Sequence, residues 1–226
     1  MYTRRRTIVI ILALIATAWT AAVQLELQPQ ISVPSSELGS QYFDGESPIQ
    51  ALNSLEVKGR APKTGYSRDQ FGNGWLTQGA CDTRNRILSR DLSATTIDDA
   101  CRVQQGTLND PYTGETILFE RGPETSQKVQ IDHVVALSDA WQKGAQNLTG
   151  AERVNLANDP LNLLAVSGAA NQQKSDGDAA TWIPSNKPFR CQYVARQVAV
   201  KKKYRLWVTQ AEKEAIERIL KSCSVA

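Results

Sequence analysis

Residues 129–135 read VQIDHVV, and their β-branched content predicts a strand. The stretch holds the single histidine of the 226-residue chain, His133, directly after Asp132. One histidine cannot build a three-histidine metal site or a histidine pair. If His133 takes part in chemistry, carboxylates and amides must assist it.

The flanking sequence predicts a mixed architecture around this strand. Thr149 and Glu152 have the spacing of a helix capping box, and Gly144 ends a short helix. Residues 83–92 fit either a helix or a strand. The remaining predicted elements are strands at 103–106, 115–119 and 162–166, and helices at 136–144, 149–157, 167–174, 192–203 and 209–221. The fold class is therefore α+β.

The N-terminal segment has the pattern of a secretory signal. Arg4, Arg5 and Arg6 precede an apolar run that continues to about Val23. Small residues provide cleavage sites, but ~20 apolar residues also suffice to span a bilayer. We therefore expect either secretion, or anchoring to the outer face of the cytoplasmic membrane with a membrane contact through this segment.

Composition divides the chain into three parts. We predict a signal peptide or membrane anchor at 1–22. Residues 23–64 are rich in Gln, Ser, Pro and Glu and predict a poorly ordered linker. One domain is expected at 65–226, where tryptophans, cysteines and arginines begin.

Net charge gives no support to a nucleic-acid partner. The formal charge of +3 includes the three arginines at 4–6, and residues 1–22 hold no acid, so a chain without them is neutral. The distribution is less even, because residues 190–221 hold nine basic residues and three glutamates. These C-terminal helices either grip a nucleic-acid backbone or form a solvated surface.

The four cysteines are even in number and suit an oxidising compartment. Three pairings are possible. We favour Cys81 with Cys101 and Cys191 with Cys223, because each pair brackets one compact segment. A zinc site is a weak alternative, since the chain has no CxxC pair and its histidine lies elsewhere.

Four polar residues have the chemistry that phosphodiester hydrolysis requires. A histidine such as His133 can activate water near neutral pH. Asp132 and Asn171 provide oxygen ligands, which suit magnesium and are poor for zinc. Asn162 opens the second strand, where its side chain can bond the backbone and fix the loop that carries His133.

The order of these residues resembles the HNH, or His-Me finger, nucleases. IDHVVALSDAW at 131–141 and NDPLNLLAVSGAANQQKSD at 158–176 are similar to the exported HNH endonuclease family proteins of actinobacteria. That branch includes the C-terminal nuclease of GmrSD-type restriction systems. GYSRDQFG at 65–72, CDTRNRILSRDL at 81–92 and DPYTGE at 110–115 extend the resemblance over most of the chain.

The resemblance implies a single-domain, disulfide-stapled ββα-metal core with additional helices. It implies a catalytic pair in which His133 is the general base and Asn162 orients the loop. Asp132 and Asn171 are implied as ligands of a divalent cation, Mg²⁺ first and Mn²⁺ as the alternative. Many HNH enzymes have histidine where this chain has Asn171. The expected substrate is DNA, with RNA as the alternative, and no protein partner is implied.

One geometric condition attaches to this assignment. Neighbouring residues on a regular strand point to opposite faces. Asp132 and His133 can therefore serve one phosphate only if the strand ends or bends there. The helix that begins near Ala136 is consistent with an ending.

Three basic residues are candidates for substrate binding. Lys174 either binds phosphate or ends a helix. Arg84 and Arg90 either clamp a backbone phosphate or form salt bridges with Asp82 or Asp91.

Two other classes of function compete with the nuclease. One is an exported nucleic-acid or cell-wall binding module with an inactive nuclease fold. The other is a disulfide-stapled structural or interaction protein, in which His133 would contribute only to stability.

Overall fold

The computed structural model of the chain describes residues 41–123 and 125–223. In these residues it has seven α-helices and seven strands, which confirms the α+β class. The strands are β1 (Thr77–Gln78), β2 (Cys81–Asp82), β3 (Ser93–Ile97), β4 (Val103–Asn109), β5 (Thr116–Glu120), β6 (Val129–His133) and β7 (Leu163–Ser167). The helices are α1 (Pro48–Ser54), α2 (Thr83–Asp91), α3 (Leu137–Gln142), α4 (Gly150–Asn158), α5 (Gly168–Lys174), α6 (Arg190–Lys203) and α7 (Gln210–Cys223).

The predicted signal or anchor at 1–22 lies outside the described residues. Across the described ranges, no helix is both long and apolar enough to cross a membrane.

The predicted elements are confirmed, with small shifts at their ends. The ambiguous segment after Asp82 is a helix, because the Asp82 side chain caps it by accepting from the Asn85 backbone N–H. Thr149 and Glu152 form the predicted capping box of α4.

Strands β6 and β7 form an antiparallel pair that leads directly into α5. Val129 pairs with Ser167 and His133 pairs with Leu163, so β6 ends at His133, which meets the geometric condition stated for the predicted site. The Ser167 side chain then caps α5. Glycine is needed at position 168, because a Cβ there would collide with the Gln127 carbonyl oxygen.

This pair of strands lies between two apolar clusters. Alternate side chains point to opposite faces of a strand. Ile131 and Ala165 therefore pack with α2, β4 and β5, whereas Leu164 and Val166 pack with α1, α6 and α7. Both faces of β6 and β7 are buried, which fixes the position of the residues at their ends.

The linker prediction is wrong for residues 41–64. Ser47 forms a capping box with Gln50 and starts α1, and Ala51 and Leu52 are fully buried. Apolar residues at one-turn spacing inside a polar segment were sufficient to dock a short helix on α6 and α7. The rest of the predicted linker, 23–40, lies outside the described residues.

Two disulfides join the pairs expected from the sequence. Cys81 bonds Cys101, and Cys191 bonds Cys223. The first ties β2 to the turn before β4, and the second ties the start of α6 to the end of α7. Both predicted pairings are confirmed.

A buried cluster of six charged side chains joins helices that are distant in sequence. The Lys143 Nζ lies 2.7 Å from carboxylate oxygens of Asp139, Asp178 and Glu212. Lys201 and Arg60 complete the cluster, so three cations offset three carboxylates. Burial alone lowers the pKa of Lys143, but the carboxylates outweigh it and the pKa is raised.

Candidate active site

A cleft of about 540 Å³ opens where β6 ends. Asp132, His133 and Asn171 all line it, so the structure brings together three of the residues that the sequence selected. Arg84 lines it as well. Asn162, Lys174 and Arg90 are not among its lining residues.

His133 is held in one orientation and one tautomer. Its ring is 6 % exposed and stacks on Trp75, with 5.7 Å between the ring centroids and 12° between the planes. Its Nε2 lies 2.9 Å from the Ala157 carbonyl oxygen. A carbonyl can only accept a hydrogen bond, so Nε2 carries the proton and Nδ1 keeps its lone pair. His133 is thus arranged as a base at Nδ1.

The surroundings keep the His133 ring neutral. Burial lowers its pKa from 6.5 to about 3, and the nearby charges of Arg68 and Lys174 act in the same direction. The hydrogen bond to Ala157 opposes them without reversing the shift. A general base must be unprotonated to act, and His133 meets that requirement throughout the neutral range.

Asp132 is tied to a buried lysine and a buried tyrosine. Its Oδ1 lies 3.0 Å from the Lys174 Nζ, and its Oδ2 accepts from the Tyr112 hydroxyl. Burial raises the pKa of Asp132, and the charge of Lys174 acts against that rise. The carboxylate is therefore fixed on two sides at the edge of the cleft.

The prediction that Lys174 binds phosphate is not supported by its position. Lys174 is 1 % exposed, and its Nζ donates to Asp132 and, at 2.9 Å, to the His133 carbonyl oxygen. A buried ammonium needs such a partner, since isolation from water is costly. Lys174 instead stabilises the Asp132–His133 segment through these two hydrogen bonds.

Asn162 makes the backbone contacts that were expected of it. Its Oδ1 accepts from the Val135 N–H at 2.8 Å, and its Nδ2 donates to the Val135 and Leu156 carbonyl oxygens at 3.3 Å. The side chain is fully buried. It fixes the turn after His133 and does not face the cleft, so it is a positioning residue.

The oxygen donors of the cleft fit a hard cation. The Asn171 Nδ2 donates to the Gln130 Oε1 at 2.8 Å, which leaves the Asn171 Oδ1 without a donor among the described residues. No cluster of three or more His, Cys, Asp or Glu side chains in those residues is arranged to hold a metal. Asp132 and Asn171 both line the cleft with oxygen atoms, the type of ligand that Mg²⁺ prefers.

The two predicted arginines lie in different environments. Arg84 lines the cleft and donates to the Val129 carbonyl oxygen, and burial with the like charge of Arg121 lowers its pKa. Arg90 instead forms a salt bridge with Asp91 and donates to the Leu163 carbonyl oxygen. The Arg90 guanidinium is therefore used in structural contacts, one of the two roles expected for it.

Arg68 is a site residue that the sequence reasoning missed. It lies in the short 3-10 helix Arg68–Phe71, lines the cleft, and lowers the pKa of His133 by its charge. Within the described chain it forms no salt bridge. The motif at 65–72 contained it, but a single arginine in a loop gave no sign that it faced the histidine.

Four of the nine C-terminal basic residues pair with carboxylates from other segments. Lys201 is buried in the charge cluster, Lys202 pairs with Glu46, and Lys203 pairs with Asp159 at 2.6 Å. Arg205 also has a carboxylate partner, Glu152. Acidic residues from other segments neutralise the helix, which charge counting along the sequence could not show.

The protonation of His133 has a measurable consequence. Its ¹⁵N resonances should show the Nε2–H tautomer and no titration between pH 5 and 8. The single histidine makes the assignment unambiguous in an untagged protein. A midpoint near 6.5 would contradict the buried, neutral ring.

Stability should follow the same shift. Between pH 3 and 6.5 the unfolded chain binds a proton at His133 that the folded chain excludes, so acidification through this window destabilises the fold. The contribution is about 2 kcal/mol at pH 5 relative to pH 7. Urea unfolding of wild type and His133→Gln at both pH values isolates the contribution of His133 to the free energy of unfolding. An equal pH dependence of this free energy in the two proteins would refute the prediction.

Comparison with known proteins assigns the chain to a family. The model of the C-terminal domain of GmrSD restriction endonucleases matches residues 82–219. The chain belongs to that family, a nuclease family. It is also 38 % identical over 175 residues to a protein of Arthroderma benhamiae described as "Uncharacterized secreted protein". The aligned region covers 76 % of this chain and 82 % of that protein. No solved structure matches the chain.

Proposed function

We propose that the protein is an exported, metal-dependent endonuclease that hydrolyses phosphodiester bonds in DNA, with RNA as a second substrate. The observation that carries the proposal is the fixed tautomer of His133, which keeps a lone pair on Nδ1, in a residue that lines a cleft together with arginines and oxygen donors. The family supports it. In this reading β6, β7 and α5 are the ββα-metal unit.

His133 would act first, by taking a proton from water at Nδ1. The resulting hydroxide attacks phosphorus, the bond to the 3′-oxygen breaks, and that oxygen takes a proton from solvent. The Ala157 carbonyl steadies the transient imidazolium through Nε2–H. A bound phosphodiester anion raises the proton affinity of the ring, which offsets its low pKa in the free protein.

Asp132 and Asn171 would hold the divalent cation. The cation would supply positive charge at the leaving oxygen and at phosphorus. Lys174 and Tyr112 keep the Asp132 carboxylate oriented, so it needs little reorganisation when substrate arrives.

Arg68 and Arg84 would bind the phosphate oxygens. Both line the cleft, and in the described part of the chain neither forms a salt bridge with a carboxylate. A guanidinium without a carboxylate partner is well suited to a phosphodiester.

Replacing Arg68 with alanine should therefore lower kcat/KM about 10–100-fold through lost phosphate contacts. Arg86→Ala is the matched control, because Arg86 lies on the exposed side of α2 and donates to Gln78. Initial rates on a fluorescent oligonucleotide measure both. Equal rates for Arg68→Ala and Arg86→Ala would remove Arg68 from the site.

Export is supported by two observations. The Arthroderma benhamiae relative is described as secreted, and the two disulfides suit an oxidising compartment.

A plasmid assay tests the proposal and its rivals. Untagged protein lacking residues 1–22 is incubated with supercoiled plasmid and Mg²⁺ or Mn²⁺, with chelator as the control. Metal-dependent nicking is expected. Plasmid binding without nicking under either metal would favour an inactive binding module, and neither binding nor nicking would favour a structural protein.

A further inference from the structure

We infer that a small cavity beside His133 receives one unstacked base of the substrate strand, so that the enzyme selects unpaired nucleotides. The inference deepens the proposed function and rests on it. It assigns a base-binding subsite next to the cleft that holds the phosphate.

The cavity has the size and the walls that a base ring requires. Its volume is about 190 Å³, and Phe71, Trp75 and Leu137 form its apolar walls. A cavity of about 150 Å³ with apolar walls is sufficient to hold benzene. A pyrimidine is a ring of the same size, and its faces stack favourably on aromatic side chains.

The cavity adjoins the candidate active site. His133 and Arg68 line both it and the larger cleft. A phosphodiester bound between His133 and Arg68 therefore has the neighbouring nucleoside at the mouth of the cavity. This shared lining favours a base of the same strand over an unrelated apolar ligand as the occupant.

The recessed position of the reacting groups favours the same substrate. Asp132 and His133 are only 5 % and 6 % exposed. In a regular duplex the bases are stacked and paired, and none can leave the helix without breaking these contacts. A single strand or a bulge can place a base in the cavity and a phosphate in the cleft together.

The apolar walls predict that the base stacks on the side chains and that its edges form no specific hydrogen bonds with the protein. Stacked sites of this kind tolerate any sequence, because every base has a flat face. We therefore expect a preference for unpaired nucleotides with little preference for sequence.

Two bulged duplexes provide the test. They are identical except that one carries a single unpaired thymine and the other an abasic residue at the same place. Affinities are measured by fluorescence anisotropy with chelator present, so that no cleavage is needed. The thymine bulge should bind about tenfold or more tightly. Equal affinities would mean that only backbone flexibility matters, and would overturn the inference.

A substitution in the wall tests the same subsite from the protein side. Leu137→Phe narrows the cavity and should bring the affinity ratio of the two duplexes toward one. Leu118→Phe, at a position 75 % exposed on β5, should keep the wild-type ratio. A wild-type ratio in a folded Leu137→Phe variant would contradict the assignment. If Leu137→Phe does not fold, the wild-type comparison alone decides.

Failure of this inference differs from failure of the proposed function. If wild type hydrolyses both duplexes but binds them equally, only the base subsite is wrong. If it binds the thymine bulge more tightly but hydrolyses neither duplex with Mg²⁺ or Mn²⁺, the subsite stands and the hydrolytic function is wrong.

Discussion

His133→Ala is expected to lower phosphodiester hydrolysis about 10²–10⁴-fold, the usual contribution of general base catalysis. No second histidine is present to replace it. The affinity for substrate should change little, because phosphate contacts come from Arg68 and Arg84. Single-turnover rates and anisotropy on the same oligonucleotide separate these two effects.

His133→Gln is the informative companion of His133→Ala. A glutamine amide can donate to the Ala157 carbonyl and fill much of the ring volume, but it has no basic nitrogen at neutral pH. If His133 is only structural, His133→Gln should restore the wild-type rate. We expect His133→Gln to fold like wild type and to be as inactive as His133→Ala. An untagged protein is needed, since tag histidines could supply a base.

Lys143→Met is expected to destabilise the fold by about 3–5 kcal/mol, because it leaves buried carboxylates without their shared partner. Lys143 and Glu212 are both fully buried, and Asp139 and Asp178 are nearly so. The ion pairs join α3, α7 and the loop after α5, so the loss should affect the whole cooperative unit. Urea unfolding monitored by tryptophan fluorescence measures the change.

Lys202→Met provides the matched control. Lys202 also pairs with a glutamate, but its side chain is 43 % exposed and its partner Glu46 is 31 % exposed. A surface pair of this kind contributes less than about 1 kcal/mol. Similar losses for Lys143→Met and Lys202→Met would show that the buried cluster has no special role in stability.

Local sequence patterns were sufficient for much of the fold. The β-branched stretch at 129–135, the capping box at Thr149 and the even number of cysteines each depend on neighbouring residues or simple pairing. The Asn162 side chain was correctly expected to bond backbone, although its partner Val135 lies 27 residues earlier in the chain. The strand and the capping box needed no knowledge of distant contacts.

The features missed at the site and on the surface depend on distant contacts. Lys174 lies at the end of a helix, but its side chain is buried and its charge is neutralised by Asp132. Arg68 lies close to His133 in space, although the two residues are 65 positions apart in the sequence. The basic residues at the end of α6 and just after it pair with Glu46, Asp159 and Glu152 from earlier segments. Sequence periodicity does not encode which segment supplies the partner.

Chemical rescue tests the central claim most directly, namely that the His133 imidazole is the general base. His133→Gly leaves space beside Trp75 for a free imidazole molecule. With Mg²⁺ and plasmid, we predict that added imidazole restores nicking in proportion to its concentration in the neutral form. A folded His133→Gly protein that nicks plasmid at the wild-type rate without imidazole would contradict the account.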